Sequence, residues 1–435
     1  MAHERIKILL LGYDDTTLSG HVFSHYKLLP EYKFDKRIVV LASCKEKKDY
    51  AFYSITKKLF PRIKFKLYRI YMTLLQTVAS CSLIARNDRR KEFCFFRSEY
   101  SSVTGKKILA KNPDFVPDVI GIYWTAGFLY SKTIRELYEL TGAKILFVFV
   151  DMAHLTGGCH YPNECNGYLY GCHNCPALSY GKRLAEIQMN SKLKHWKGLP
   201  KIVYGTKSDC ELAKESPVFK DAYFISRIST PKVTVTNTIE ARKKWQIEPG
   251  RFVILLGANS LDDTRKGLKY AIEAINKFAE YKSNLSLFLL GNQTSLMIQR
   301  LGISPSISII SPGFLSLDDL FMAYCASDCH ISSSVADSGP MMVNYSIACG
   351  TPVVSFNVGV ARDIVLHKET GYIARYKDSE DLVRGLDWMY QLDVCSKIKM
   401  KRRCLSLMEE LKKQKPYYDV LYDYIIDNRN KRYVV

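Results

Sequence analysis

The stretch His330–Gly359, HISSSVADSGPMMVNYSIACGTPVVSFNVG, constrains the fold more than any other part of this chain. An apolar run ends at Ile331 and passes into Ser332, Ser333 and Ser334, and a polar turn with Asp337, Ser338 and Gly339 then leads to Pro340. Proline suits the first position of a helix, where no hydrogen-bonded N–H is lost. Gly350 supplies the helix stop, and Thr351–Phe356 is a short, continuous apolar run of the kind buried in parallel sheets. The order strand, loop, helix, strand predicts an α/β unit. Its loop falls at a strand's carboxyl end, where open α/β sheets bind ligands and helix N-termini favour anions.

The same alternation recurs along the chain, and 435 residues leave room for two such domains. Strands are predicted at Ile6–Leu11, Lys36–Ala42, Pro117–Trp124, Lys144–Val150, Lys201–Gly205 and Ala222–Ile228 in a first domain, 1–230. A second domain, 231–405, has strands at Arg251–Gly257, Leu285–Gly291 and Ser306–Ile310 and helices at Leu268–Tyr281 and Leu317–Ala326. The polar run Arg227–Asn237 reads as the linker, and 406–435 as a C-terminal helix able to cross back to the first domain.

Several polar groups stand where such sheets place chemistry. Gly20 closes the first strand–helix loop. Asp151 follows a strand directly, with His154 three residues on. Both suit a ligand-facing strand end, although a lone Asp or His after a strand is more often a turn former or helix cap. Arg265, Lys266 and Gly267 open a helix after a glycine-ended strand, an arrangement whose N–H donors and cations can neutralise a diphosphate. Between 151 and 180 lie Cys159, Cys165, Cys172 and Cys175, spaced C-x5-C-x6-C-x2-C. Four thiolates can enclose a structural zinc ion; the same cysteines can form disulfides or simply pack.

Asp337-Ser-Gly-Pro340, followed by Ala348-Cys-Gly-Thr-Pro-Val-Val354 and Gly359, resembles the donor-binding signature of family 4 glycosyltransferases. The run D-M-A-x-x-T-G-G-C-H-Y from Asp151, with C-x2-C-P-A-L behind it, resembles an insert in the bacterial members that build exopolysaccharide or O-antigen chains. The resemblance implies a GT-B fold: α/β, two Rossmann-like domains facing a cleft. It implies retaining transfer of a sugar from a UDP- or GDP-linked donor to a saccharide or lipid-linked saccharide acceptor. No cofactor is then needed for catalysis, so any zinc would be structural. Arg265, Lys266, Ser338, Gly339 and the helix begun at Pro340 would hold the diphosphate, and Asp337 the sugar hydroxyls. Gly313 and Phe314 would lie against the nucleobase, Gly20 near the phosphates, and the acceptor near Asp151–Gly158. Tyr345 stands where the family's second donor-site carboxylate would be, and Ala258 where an arginine commonly follows the strand glycine.

Composition narrows the classes. No run of eighteen or more apolar residues occurs, as a membrane helix requires, and MAHERIKILLLG lacks the small-residue cleavage site of a signal peptide. The expected setting is therefore a reducing cytoplasm, or the inner face of its membrane. The net charge of +20 attracts nucleic acid, anionic membrane or phosphorylated substrates alike. No RNA- or DNA-binding signature is present, so nucleic acid is not expected as a partner. A zinc-bearing nucleic-acid binder and an inactive nucleotide-sugar binder are the other classes the residues allow. Lys57, Lys58, Arg62, Lys64, Lys66 and Arg69 alternate with Phe60, Phe65, Tyr68 and Tyr71, a pattern fitting either anionic membrane or a solvated helix face.

Overall fold

The structure, a computed structural model, describes residues 5–14, 20–42, 52–54, 93–96, 99, 103–124, 127–178, 182–261, 263–292, 295–339 and 341–432. The basic, aromatic stretch 57–71 and Pro340 lie outside the described residues. Two compact units form. One is Met1–Gly205, Asp209–Arg227 and Lys415–Val435; the other is Thr206–Ser208 and Ile228–Gln414.

The first unit carries β1 (Ile6–Asp14), β2 (Phe34–Ala42), β3 (Phe52–Ser54), β4 (Val119–Ile122), β5 (Lys144–Val148), β6 (Lys201–Gly205) and β7 (Tyr223–Ser226). They form one parallel sheet in the order β3-β2-β1-β4-β5-β6-β7. Successive side chains on a strand point to opposite faces, and the core divides accordingly. Leu9, Leu11, Ile120, Ile122, Ile145 and Phe147 join one apolar cluster; Ile8, Leu10, Val119, Leu146 and Val148 join the other. Both faces are covered, so these strands read as unbroken apolar runs rather than alternating ones.

The second unit carries β8 (Phe252–Ser260), β9 (Leu285–Asn292), β10 (Ser308–Gly313), β11 (Cys329–Ser332), β12 (Val353–Phe356) and β13 (Gly371–Ala374). This sheet is also parallel, in the order β10-β9-β8-β11-β12-β13. In each sheet the order reverses once, between β1 and β4 and between β8 and β11. Ligands of open α/β sheets bind at such reversals, beyond the strands' carboxyl ends.

The departures from sequence expectation have local causes. Strand β4 begins two residues after Pro117, which cannot donate to the ladder. Strand β10 starts later than expected and takes in Gly313 across a bulge. The C-terminal helix expected within 406–435 runs Tyr417–Arg432, and a separate helix, Val394–Lys412, precedes it. The break falls at Pro416, and only the second helix belongs to the first unit. There Tyr417, Leu421, Tyr422 and Ile425 complete one face of the sheet, and Lys33 pairs with Asp419 at 2.7 Å.

Candidate functional site

At the reversal in the second unit, the loops after β8 and β11 are bonded into one structure. Asp263 caps a short turn, Thr264–Lys266, by accepting from the Arg265 N–H at 3.1 Å. The Arg265 guanidinium grips the same carboxylate, Nε to Oδ1 at 3.1 Å and Nη2 to Oδ2 at 2.6 Å. The Arg265 carbonyl accepts from the N–H groups of Val335 at 2.8 Å and Ala336 at 3.3 Å, and Ser333 Oγ donates to the Lys266 carbonyl at 3.0 Å. Gly267 has φ of 59°, and a Cβ there would sit 2.1 Å from the Ser333 oxygen. Only glycine lets the two loops approach this closely.

That approach sets Lys266 Nζ 2.5 Å from Asp337 Oδ2, while Asp337 Oδ1 accepts from the Gly339 N–H at 3.2 Å. Ser338 is buried, and among the described residues its Oγ has no hydrogen-bond partner; the same holds for Asn344 Oδ1 on the helix Met341–Ala348. Each of these two atoms can still form a hydrogen bond with a ligand or water. On β11 beneath this loop, His330 is buried with Nδ1 unpartnered. Burial, helped by the charge of Lys266, pushes its pKa down to about 3, so the ring is neutral.

The structure thus joins Arg265, Lys266, Asp337, Ser338 and Gly339. Gly313 ends the edge strand β10 with φ of 77°, and Phe314 beyond it is 70% exposed, so it is not a core residue. Tyr345 packs against Phe321 at 5.5 Å, where burial raises its phenol pKa. Gly20 opens the first-unit helix Gly20–Leu28. Asp263 and Ser333 were missed in sequence. A capping Asp two residues before the arginine was a legible signal for the first.

In the first unit Asp151 follows β5 and is buried. Its partner is not His154 but His160, with Oδ2 2.6 Å from Nδ1; Oδ1 accepts from the Ala153 N–H at 2.8 Å. Burial alone would raise the Asp151 pKa. The His160 ring and the Ala153 N–H outweigh it and hold the carboxyl below its usual value. His154 instead lies between Phe147 and Phe149, ring centroids 5.3 and 5.6 Å away, and burial lowers its pKa to about 4.

The loop between is tied down from the helix Arg183–Trp196. Lys192 Nζ donates to the carbonyls of Ala153 at 2.5 Å and Thr156 at 2.6 Å, and Gln188 donates to that of Gly157. A Cβ on Gly157 would meet the Ala185 oxygen at 2.1 Å. Trp124 Nε1 stands 3.0 Å from His160 Nδ1. Trp124, Asp151, His154, His160 and Lys192 line a cavity of about 40 Å3, room for a water or one hydroxyl group.

The cysteines behind this loop, Cys159, Cys165, Cys172 and Cys175, pack into one apolar cluster. Among the described residues, no three His, Cys, Asp or Glu side chains are grouped to hold a metal ion. Instead the Cys159 and Cys175 thiols bond each other, which draws the Cys175 pKa down to about 7 and pushes Cys159 up. Cys172 and Cys165 sulfurs accept from the N–H groups of Gly157 at 3.2 Å and Gly167 at 3.4 Å. All four are free thiols beside Phe93, Phe95 and Leu178.

Solved structures share this architecture. Sucrose-phosphate synthase from Thermosynechococcus elongatus superposes with a TM-score of 0.63 at 12% identity, over 99% of this chain and 100% of that one. An Anabaena protein solved in complex with UDP and glucose gives 0.58 at 12%, over 98% and 100%. The fold is GT-B. Residues 237–404, the core of the second unit, match the family model described as glycosyl transferases group 1. An uncharacterized glycosyltransferase of Haemophilus influenzae is 25% identical over 128 residues, 28% of this chain and 35% of that protein. This chain thus matches about a third of the length of that curated relative.

Proposed function

We propose that this chain is a retaining glycosyltransferase that moves a sugar from a UDP- or GDP-linked donor to a saccharide acceptor, lipid-linked or free. The group 1 domain and the GT-B fold support the reaction class. The observation that carries the donor site is the bonded pair of loops at the β8/β11 reversal, which offers one cation and an unpartnered hydroxyl at a single point.

In this reading the donor diphosphate takes Lys266 and the orphaned Ser338 hydroxyl, while Asp337, released from Lys266, accepts from sugar hydroxyls. Arg265 holds its turn through Asp263 and adds positive potential. The bond from the anomeric carbon to the diphosphate oxygen breaks, the acceptor oxygen bonds that carbon, and the acceptor proton leaves with the diphosphate or to water. Fixed positive charge beside the departing diphosphate is the electrostatic term that lowers such a barrier. The acceptor hydroxyl belongs to the Asp151–Gly158 loop, whose cavity admits a group of that size. Work in bacterial surface-polysaccharide synthesis, at the inner membrane face, accords with the Asp151–Leu178 sequence.

Calorimetric titration with UDP and GDP tests the donor site. One nucleotide binds the wild type. Ser338→Ala weakens it roughly tenfold, as loss of a hydrogen bond to a charged group does, and Arg265→Ala/Lys266→Ala abolishes it. Unchanged affinity in the double variant would remove the donor site from these loops.

A further inference from the structure

The helix Val394–Lys412 carries Lys397, Lys399, Lys401, Arg402 and Arg403, and no acidic residue occurs between Val394 and Met408. Part of that charge is used at home. Arg403 bonds Glu369 at 3.1 Å and Glu410 at 3.0 Å, Lys401 donates to Thr238 Oγ at 3.1 Å, and Lys397 lies over the Phe252 ring. Lys399 and Arg402 have no ion-pair partner among the described residues, nor has Lys368 on the neighbouring turn. These three rim an open groove of about 670 Å3 whose floor is Trp388, Leu392 and Met400.

Beside the groove, on the exposed side of the same helix, stand Val394 at 71% and Ile398 at 46% exposure. They are four residues apart and therefore neighbours on one face, which Lys399 and Arg402 continue. Unpaired cations around exposed aliphatic side chains are the composition of a helix lying in a membrane interface. Val394 and Ile398 are aliphatic and offer nucleic-acid bases no face to stack on, while Trp388 is only part-exposed at the groove floor.

We propose that this face of the second unit docks on an anionic lipid surface, with Lys368, Lys399 and Arg402 among the phosphate headgroups and Val394 and Ile398 entering the acyl boundary. The proposal stands apart from the donor-site reading and from the undescribed stretch 57–71. Each cation near an anionic leaflet strengthens binding by about fivefold (about 1 kcal/mol).

Sedimentation of the full chain with vesicles tests it, using phosphatidylcholine alone and the same lipid with about one third phosphatidylglycerol. The wild type binds only the anionic vesicles, and salt weakens the binding. Lys368→Gln/Lys399→Gln/Arg402→Gln lowers affinity by roughly a hundredfold. Val394→Ser/Ile398→Ser lowers it several-fold without changing the salt dependence. All five side chains are exposed, and a near-UV spectrum confirms that each variant is folded. A triple variant that binds like the wild type would overturn the proposal, as would equal binding to both vesicle types. Retention of single-stranded RNA by the wild type but not by the triple variant, without vesicle binding, would reassign the face to nucleic acid.

Discussion

Gly267→Ala tests whether the two loops at the β8/β11 reversal depend on one close approach. At φ of 59° any other residue adopts a left-handed backbone at a cost of about 1–2 kcal/mol. The added Cβ would also start 2.1 Å from the Ser333 oxygen. To reach ordinary contact that carbonyl must retreat by about an ångström. Ser333 is not free to move, because its hydroxyl bonds Lys266 and the next residues bond Arg265. Losing one or two of those hydrogen bonds adds about 1–2 kcal/mol. The sum, about 3 kcal/mol, lowers the melting temperature of the second unit by roughly 6–12 °C.

Gly250→Ala is the matching control. Gly250 also has positive φ, 79°, but a Cβ there meets nothing within 4 Å. It therefore carries the backbone cost alone, about 1 kcal/mol, and the change in unfolded-chain entropy cancels between the variants. Differential scanning calorimetry reads both. A Gly267→Ala melting point no lower than that of Gly250→Ala would refute the steric argument, because backbone strain would then account for everything. If the approach also builds the nucleotide site, Gly267→Ala loses nucleotide binding and Gly250→Ala keeps it.

Two further outcomes follow from the buried titrating groups. In the unfolded chain His330 takes up a proton below about pH 6.5, whereas in the folded chain it stays neutral until about 3. Stability of the second unit therefore falls with pH across that window, by about 2 kcal/mol from pH 6.5 to 5. Urea titrations at the two pH values read it, and an identical loss in His330→Gln would assign the slope to other groups. In the first unit, Asp151→Asn and His160→Gln should each cost about 3 kcal/mol, with a coupling of about 2 kcal/mol in the double-mutant cycle. Strictly additive losses would mean that the 2.6 Å contact is not a working pair.

What the sequence made legible depended on the distance between partners along the chain. The β11–helix–β12 unit could be read because its parts are adjacent: an apolar run, a polar turn, a glycine stop and another apolar run. Helix Leu317–Ala326 and strand β6 fall where periodicity and turn residues put them. Contacts that close long loops were not legible. Nothing in the spelling of Asp337 says that its partner is Lys266, seventy-one residues earlier. That Asp151 pairs with His160 was likewise not legible from position. His154 is nearer, but it falls against Phe147 and Phe149, and the turn that follows brings His160 back to Asp151 through the Met152–His160 backbone bond. The helix Arg183–Trp196 escaped notice because its buried face includes Gln188 and Lys192, polar residues that conceal an apolar stripe.

Those two polar side chains show how the first unit holds an irregular loop against a parallel sheet. A loop laid over a sheet end buries carbonyls that no ladder satisfies, and each left unpaired costs about 1–3 kcal/mol. Here the helix beneath supplies the missing donors, Lys192 to Ala153 and Thr156, and Gln188 to Gly157. A lysine can be buried at this depth only because its hydrogen bonds replace water, and its pKa is lowered all the same. The loop's glycines then follow from the same geometry, since a Cβ at Gly157 or Gly158 would collide with the helix and side chain that hold the loop. Asp151 is thereby presented on a fixed backbone at the end of β5, with its carboxylate already oriented by His160. Under the proposed function Asp151 meets an acceptor hydroxyl in one geometry, and the helix–loop bonding is what would hold it there.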